Sequence, residues 1–303
     1  MLASSAAAAV ALAAAVWIAA AAEWQVTIAS ANSAHPSWCG DHIVFHSDRV
    51  TPGNYQIWMV SDQGEVTPLC VTNDPTKSLR EPSWNCAAQF VAVCGGTGER
   101  DRIYLAYEWG PPYILVEPTQ SAADNESPSY LGGTIAFHSD RAGQRDIYLM
   151  SEGGEQNWLT RLTTSAADDV DPAISPDGSR IAFASDRAGD LDIWLTGEEG
   201  EGVTLQRLTA SGARDVEPAW SPGGTHIALA RLGVGIVVVN VATRAEHQVT
   251  AGGTDRSPAW SPEGDLIAFT RPGAYDQIWC SDNVPSGTAV AWATWGSIKG
   301  LYR

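Results

Sequence analysis

The amino-acid sequence predicts an all-β fold, a six-bladed β-propeller of four-stranded antiparallel blades closed by an N-terminal strand. Three observations carry this. One phrase recurs along most of the chain, most fully as DPAISPDGSRIAFASDRAGDLDIWL at residues 171–195. Its anchoring prolines, Pro36, Pro82, Pro128, Pro172, Pro218 and Pro258, stand 46, 46, 44, 46 and 40 residues apart, a spacing that marks propeller blades. The long apolar stretches of 3.6-residue period that helical repeats of similar length need are absent.

Each unit resolves into four strands. The innermost is P-A-W-S, ended by turns such as Ser175-Pro176-Asp177-Gly178, where proline second and glycine fourth suit a type I turn. The second is I-A-F, as at Ile181-Ala182-Phe183, with bulk on one face and alanine on the other, so that one blade's bulk can pack against its neighbour's small face. A polar hairpin S-D-R-A-G leads into the third, D-I-W or D-I-Y, at Asp192–Trp194 and Asp146–Tyr148. The fourth ends in L-T or V-T at Val71-Thr72, Leu162-Thr163, Leu208-Thr209 and Val249-Thr250, and in degenerate form around Ile114 and Leu115. The sixth unit has no such strand after Trp279. Thr27 stands nine residues before Pro36, as Thr163 and Thr209 stand before theirs, so Gln25-Val26-Thr27 is expected to complete the last blade. Closure by Ala289 to Trp295 is the competing arrangement. A ring closed in this way hides its strand edges.

Residues 1–22 form a separate unit ahead of the propeller at 23–287, with 288–303 a C-terminal tail. The first 22 residues hold thirteen alanines and no charge. Val10 to Ile18 followed by small residues suits an export signal, without the usual basic start, and the run is also long enough for a membrane anchor. A periplasmic or otherwise extracytoplasmic location is expected. The net charge of −17, with Lys77 and Lys299 the only lysines, excludes a general nucleic-acid binder. Five cysteines at irregular spacing offer no zinc motif and leave at least one thiol free or paired between chains. Cys86 and Cys94 flank a hairpin that sets Cys94 beside Glu81 or Pro82 instead, so a Cys86–Cys94 bridge is disfavoured.

The repeats, above all SPDGSRIAFASDRAGDLDIWL followed by a strand ending in L-T, resemble the WD-like repeats of the TolB family of six-bladed propellers over about residues 23–281. The resemblance implies an exported scaffold that grips a protein or peptide partner at the mouth of its channel, as TolB proteins hold the envelope lipoprotein Pal in the periplasm; a monomer is expected. TolB proteins also carry an α/β domain ahead of the propeller, where this sequence has the alanine-rich segment. Similar repeats occur in lyases and in prolyl-peptidase relatives, so fold alone does not settle function.

The loops joining each fourth strand to the next inner strand are rich in acids. Glu81, Asp124, Glu126, Asp169, Asp171, Asp215, Glu217 and Asp255 are the expected partner-binding residues, an acidic rim drawing in a cationic or amide-rich partner. The same residue types also make good turns and caps. His35, Glu81, Ser127, Asp171, Glu217 and Ser257, each just before a proline, should ring the innermost strands at one height. Their three carboxylates could hold calcium, though no motif demands it and no cofactor is expected. His46, Cys94 and His138 hold equivalent positions in successive blades. Their separation, of order 10 Å, is too great for shared Zn ligation at about 2.0–2.3 Å, and both histidines are expected to be satisfied beside the Asp48 and Asp140 hairpins. Asp48-Arg49, Asp140-Arg141 and Asp186-Arg187 read as hairpin bonds and ion pairs between blades, and the tryptophans of the strands as core. No G-x-S-x-G elbow, phosphate loop or dinucleotide fingerprint is present. Non-catalytic binding is therefore the leading expectation, with a metal-dependent hydrolase or lyase, or an interaction domain of a larger protein, as alternatives.

Overall fold

The structure, a computed structural model, describes residues 22–62, 68–84, 90–98, 100–107, 114–119, 122–202, 204–285 and 288. The expected export or anchor segment, Cys86 and the competing C-terminal closure at Ala289–Trp295 fall outside these residues. Within them the chain forms six four-stranded antiparallel sheets. Blade 1 comprises Ser33–Cys39, His42–Thr51, Asn54–Ser61 and Leu69–Cys70, and blade 2 comprises Ser78–Trp84, Phe90–Gly96, Arg102–Tyr107 and Ile114–Val116. Blade 3 is Asn125–Leu131, Thr134–Ser139, Asp146–Ser151 and Leu159–Arg161; blade 4 is Asp169–Ile174, Arg180–Ser185, Asp192–Gly197 and Leu205–Arg207. Blade 5 is Asp215–Trp220, His226–Arg231, Gly235–Asn240 and Glu246–Gln248. Blade 6 has Arg256–Trp260, Ile267–Arg271 and Gln277–Ser281, and takes Glu23–Gln25 from the N-terminus as its outer strand.

The alternation of the second strands builds the seams between blades. Ala182 and Ala184 of blade 4 pack with Ile227 and Leu229 of blade 5, while Ile181 and Phe183 face Ala136 and Leu149 of blade 3. Ala268 of blade 6 meets Ile43 and Phe45 of blade 1, so the same small-against-large pairing also spans the closure. The threonine of the L-T motif lies just beyond each outer strand, and its hydroxyl accepts the N–H of the third strand's isoleucine. Thr72 does so for Ile57, Thr163 for Ile147 and Thr209 for Ile193, each at 2.9 Å. In the degenerate second blade Thr119 plays this part for Ile103 at 3.1 Å. Thr27 completes the series by accepting from Ile278 at 2.9 Å, and Arg271 reaches Glu23 at 2.8 Å.

Deleting residues 23–30 is expected to lower the thermal midpoint by roughly 10 °C or more, because the ring loses a strand and a shared apolar seam. Thr27→Val, which keeps shape and removes the acceptor, should cost about 1–2 kcal/mol in chemical denaturation. A deletion that leaves the midpoint unchanged overturns the role of this strand.

Candidate functional site: the channel ring

Each inner strand carries the same bulge. In blade 3 Glu126 pairs with His138 and Ser129 with Ala136, so Ser127 and Pro128 together face one residue. The residue before each proline lies in the left-handed region, with φ between 50° and 53° at His35, Glu81, Ser127, Asp171, Glu217 and Ser257. That conformation costs about 1–3 kcal/mol for a non-glycine residue and is held here from outside. The N–H of Glu81 donates to His46 Nδ1 at 3.1 Å, that of Asp171 to His138 Nδ1 at 3.4 Å and that of His35 to Thr270 Oγ1 at 3.0 Å, each acceptor lying on the preceding blade. The N–H of Ser127 donates to Glu81 Oε2 at 3.0 Å, and that of Ser257 to Glu217 Oε2 at 2.6 Å.

These six residues ring one end of a cavity of about 760 Å³ that follows the inner strands to the turns at Pro176, Pro222 and Pro262. Its lining contains the carboxylates of Glu81, Asp171 and Glu217, the imidazole of His35 and no lysine or arginine. Ser127 Oγ bonds Asp171 Oδ1 at 3.1 Å and the Cys94 thiol donates to Glu81 Oε2 at 3.1 Å. None of the three carboxylates has an ion-pair partner among the described residues. Burial pushes the Glu217 carboxyl up, the nearby Asp171 adds to this, and His35 opposes it.

The expected rim residues divide into distinct environments. Glu81, Asp171 and Glu217 line the cavity together. Asp169, Asp215 and Asp255, two residues before them in the repeat, are buried in ion pairs with arginines of their own blades. Arg187 meets Asp169 at 2.8 Å, Arg231 meets Asp215 at 2.7 Å and Arg271 meets Asp255 at 2.7 Å. The same arginines reach outward to Glu201, Glu246 and Glu23, and Arg187 lies over Phe183 and Trp194. Of the D-R motif arginines, Arg187 and Arg141, which meets Glu155 at 2.7 Å, make their ion pairs within a blade, where hairpin bonds and ion pairs between blades were expected. Asp124 accepts the N–H of Asp101 at 3.1 Å and so serves the contact between blades 2 and 3, whereas Glu126 bonds His138 Nε2 of its own blade at 3.1 Å. His46 and His138 are satisfied, as expected, each accepting a backbone N–H of the next blade at Nδ1, with His138 also bonded to Glu126.

At the loop end of the channel Arg80 binds Asp101 at 2.5 Å. Burial and a hydrogen bond to Glu126 push the Asp101 carboxyl up to about 6 against the pull of Arg80. Glu126 is held down at about 2, chiefly by its bond to His138. Native Asp101 keeps its proton where the unfolded chain, with a pKa of about 3.9, has lost it, so its contribution to stability falls as pH rises from about 4 to 6. Glu126 acts in the opposite sense between about pH 2 and 4.3. Thermal midpoints across this range should therefore show a fall above pH 4 that Asp101→Asn removes; an unchanged profile in that variant refutes the assignment. Arg187→Ala leaves Asp169 buried and uncompensated, and is expected to cost about 3–5 kcal/mol in denaturant unfolding. A loss below about 1 kcal/mol would mark the pair as an ordinary surface bridge.

No curated protein sequence matches the chain. Among solved structures, a TolB-type protein from Agrobacterium tumefaciens superimposes with a TM-score of 0.65 at 20% identity, over 82% of this chain and 90% of that one. TolB from Acinetobacter baumannii gives 0.61 at 19% identity, over 84% and 79%. A gluconolactonase from Xanthomonas campestris gives 0.63 at 14% identity, over 86% and 89%, so the fold is shared with enzymes as well. At these identities the likeness is one of fold. The repeats themselves are more specific: residues 119–280, over half of the sequence, match the TolB beta propeller domain, and the chain belongs to that family.

Proposed function

We propose that this protein is a non-catalytic, extracytoplasmic binding scaffold that engages a protein or peptide partner at the acidic ring of its channel. The carrying observation is the set of three carboxylates, Glu81, Asp171 and Glu217, gathered in one cavity without an ion-pair partner among the described residues. The other inner-strand acids are each bonded to a basic side chain of their own blade, Asp169 and Asp215 to arginines and Glu126 to His138, whereas these three form an anionic site at the end of an open cavity. Carboxylates in such surroundings gain from a cationic or amide-rich group more than exposed ones do. Family membership supports a protein of the cell envelope as the partner, with a Pal-type lipoprotein the first candidate. Cys39 is disulfide-bonded, which favours an oxidising compartment and agrees with the export segment read at residues 1–22.

Crosslinking in native envelope fractions, followed by capture of the chain, is expected to bring down one stoichiometric partner. The triple variant Glu81→Gln, Asp171→Asn, Glu217→Gln should then bind that partner at least tenfold more weakly at low salt, with its thermal midpoint largely retained. Unchanged affinity would place the interface elsewhere. A tightly bound divalent metal at one per chain in the purified protein would instead favour the hydrolase or lyase alternative.

A further inference from the structure

Which end of the channel receives the partner, and with what chemistry, can be argued from the two ends separately. This inference rests on the channel-binding reading above and narrows it. Toward the loops and hairpins, the residues one step beyond the ring are Ala34, Arg80, Glu126, Val170, Val216 and Arg256, and none of them lines the cavity. Arg80 is tied to Asp101 and Arg256 to Asp276, each at 2.5 Å, while Glu126 is tied to His138. Each of these three charged groups already has a partner, so among them an arriving cation meets no unpaired carboxylate.

The opposite end differs in shape and in charge. From the ring to the turns the cavity is walled by prolines and by Trp38, Trp84, Trp220 and Trp260, and Pro176 at its outer margin is exposed. The indole N–H groups of Trp220 and Trp260 are bonded to the carbonyls of Ala173 and Ala219 at 3.1 Å, so these rings present hydrocarbon edges to the cavity. An apolar wall ending in carboxylates is complementary to a side chain with an alkyl stem and a cationic head. An organic cation meets both features at once, its stem lying against the apolar wall and its head against the carboxylates.

We propose that the channel takes a basic side chain of a partner polypeptide, admitted from the turn face and halted at the ring of Glu81, Asp171 and Glu217. The loop and hairpin face, where the sequence placed the acidic mouth, is then the closed end of the site.

The test uses the full chain with Cys70→Ser, which removes the partly exposed thiol, and a reporter thiol introduced as Ala173→Cys in the cavity wall. Ala259→Cys on another blade is the second reporter should the first fail to fold. The cationic reagent trimethylammonium-ethyl methanethiosulfonate is expected to modify the reporter about tenfold or more faster than the anionic sulfonatoethyl reagent at low ionic strength, and the ratio should collapse in 1 M salt. Pro222→Arg, which sets a cation at the turn mouth, should slow the cationic reagent severalfold, while Arg256→Gln at the loop end leaves its rate unchanged. Acetylated pentalysine is expected to protect the reporter and acetylated pentaglutamate to have no effect. The inference is overturned if Arg256→Gln accelerates the cationic reagent and Pro222→Arg does nothing, if both peptides protect equally, or if deletion of residues 289–303 alone raises the rate, since the occupant is then the chain's own basic tail. The channel-binding reading fails separately, when the triple carboxamide variant keeps full affinity for the captured partner. If that variant loses affinity while the route is reversed, only the turn-face assignment is lost.

Discussion

The left-handed bulge before each inner-strand proline is the constraint on which the channel depends. A regular strand would place alternate side chains against the two neighbouring blades and offer the axis little more than backbone. The extra residue at each bulge turns six side chains toward the axis at one height, and it does so in a conformation that a residue preceding proline resists. The cost is offset by cross-blade hydrogen bonds to the bulged N–H groups, from His46, His138 and Thr270 and from the ring carboxylates themselves. A strained backbone held by its neighbours is thus also the means by which blades are locked in rotation about the axis.

The second organising interaction works within the blade. Arg187, Arg231 and Arg271 each bind a buried aspartate on the inner strand and an acid at the outer edge, and Arg187 and Arg271 lie over two aromatic rings on the way. A buried aspartate alone would be costly, and its stabilisation by a guanidinium that also stacks makes the blade cohere across all four strands. In blade 6 the outer acid is Glu23, so closure of the ring uses the kind of ion pair by which Arg231 holds Glu246 on the outer strand of blade 5. The N-terminal strand is therefore specified by charge as well as by the seam of Ala268 against Phe45.

Much of this was legible in the sequence. The proline period gave the blade count, the I-A-F alternation gave the seams, and the spacing of Thr27 to Pro36 identified the closing strand. The division of the acids into paired and unpaired sets was not read, although the chain holds a signal for it. Blade 2 has Leu79 where others have an aspartate, asparagine or serine, and Thr97 where blades 1, 3 and 4 have the hairpin arginine, so both partners of the pair are absent together. In blades 5 and 6 the arginine stands two positions earlier, at the end of the second strand, which hid the equivalence of Arg231 and Arg271 with Arg187. The bulge was not legible either, because a residue before proline is ordinarily extended, and only the tertiary bonds to the next blade make the left-handed state affordable.

Asp169 and Asp171 show how far these local facts govern function. They are two residues apart on one strand, and by simple alternation they belong on the same face with the same arginine. The bulge intervenes at Asp171, so Asp169 remains on the blade face against Arg187 at 2.8 Å while Asp171 is turned into the channel beside Ser127. Asp215 and Glu217 repeat the separation, the first bound to Arg231 and the second to Ser257. One backbone irregularity therefore separates acids that hold the blade together through arginines from acids that line the cavity with no ion-pair partner among the described residues. It makes the interior of the ring anionic beside aspartates that arginines of their own blades hold in ion pairs, so the character of the cavity is set by the backbone as much as by the residue types along the strand.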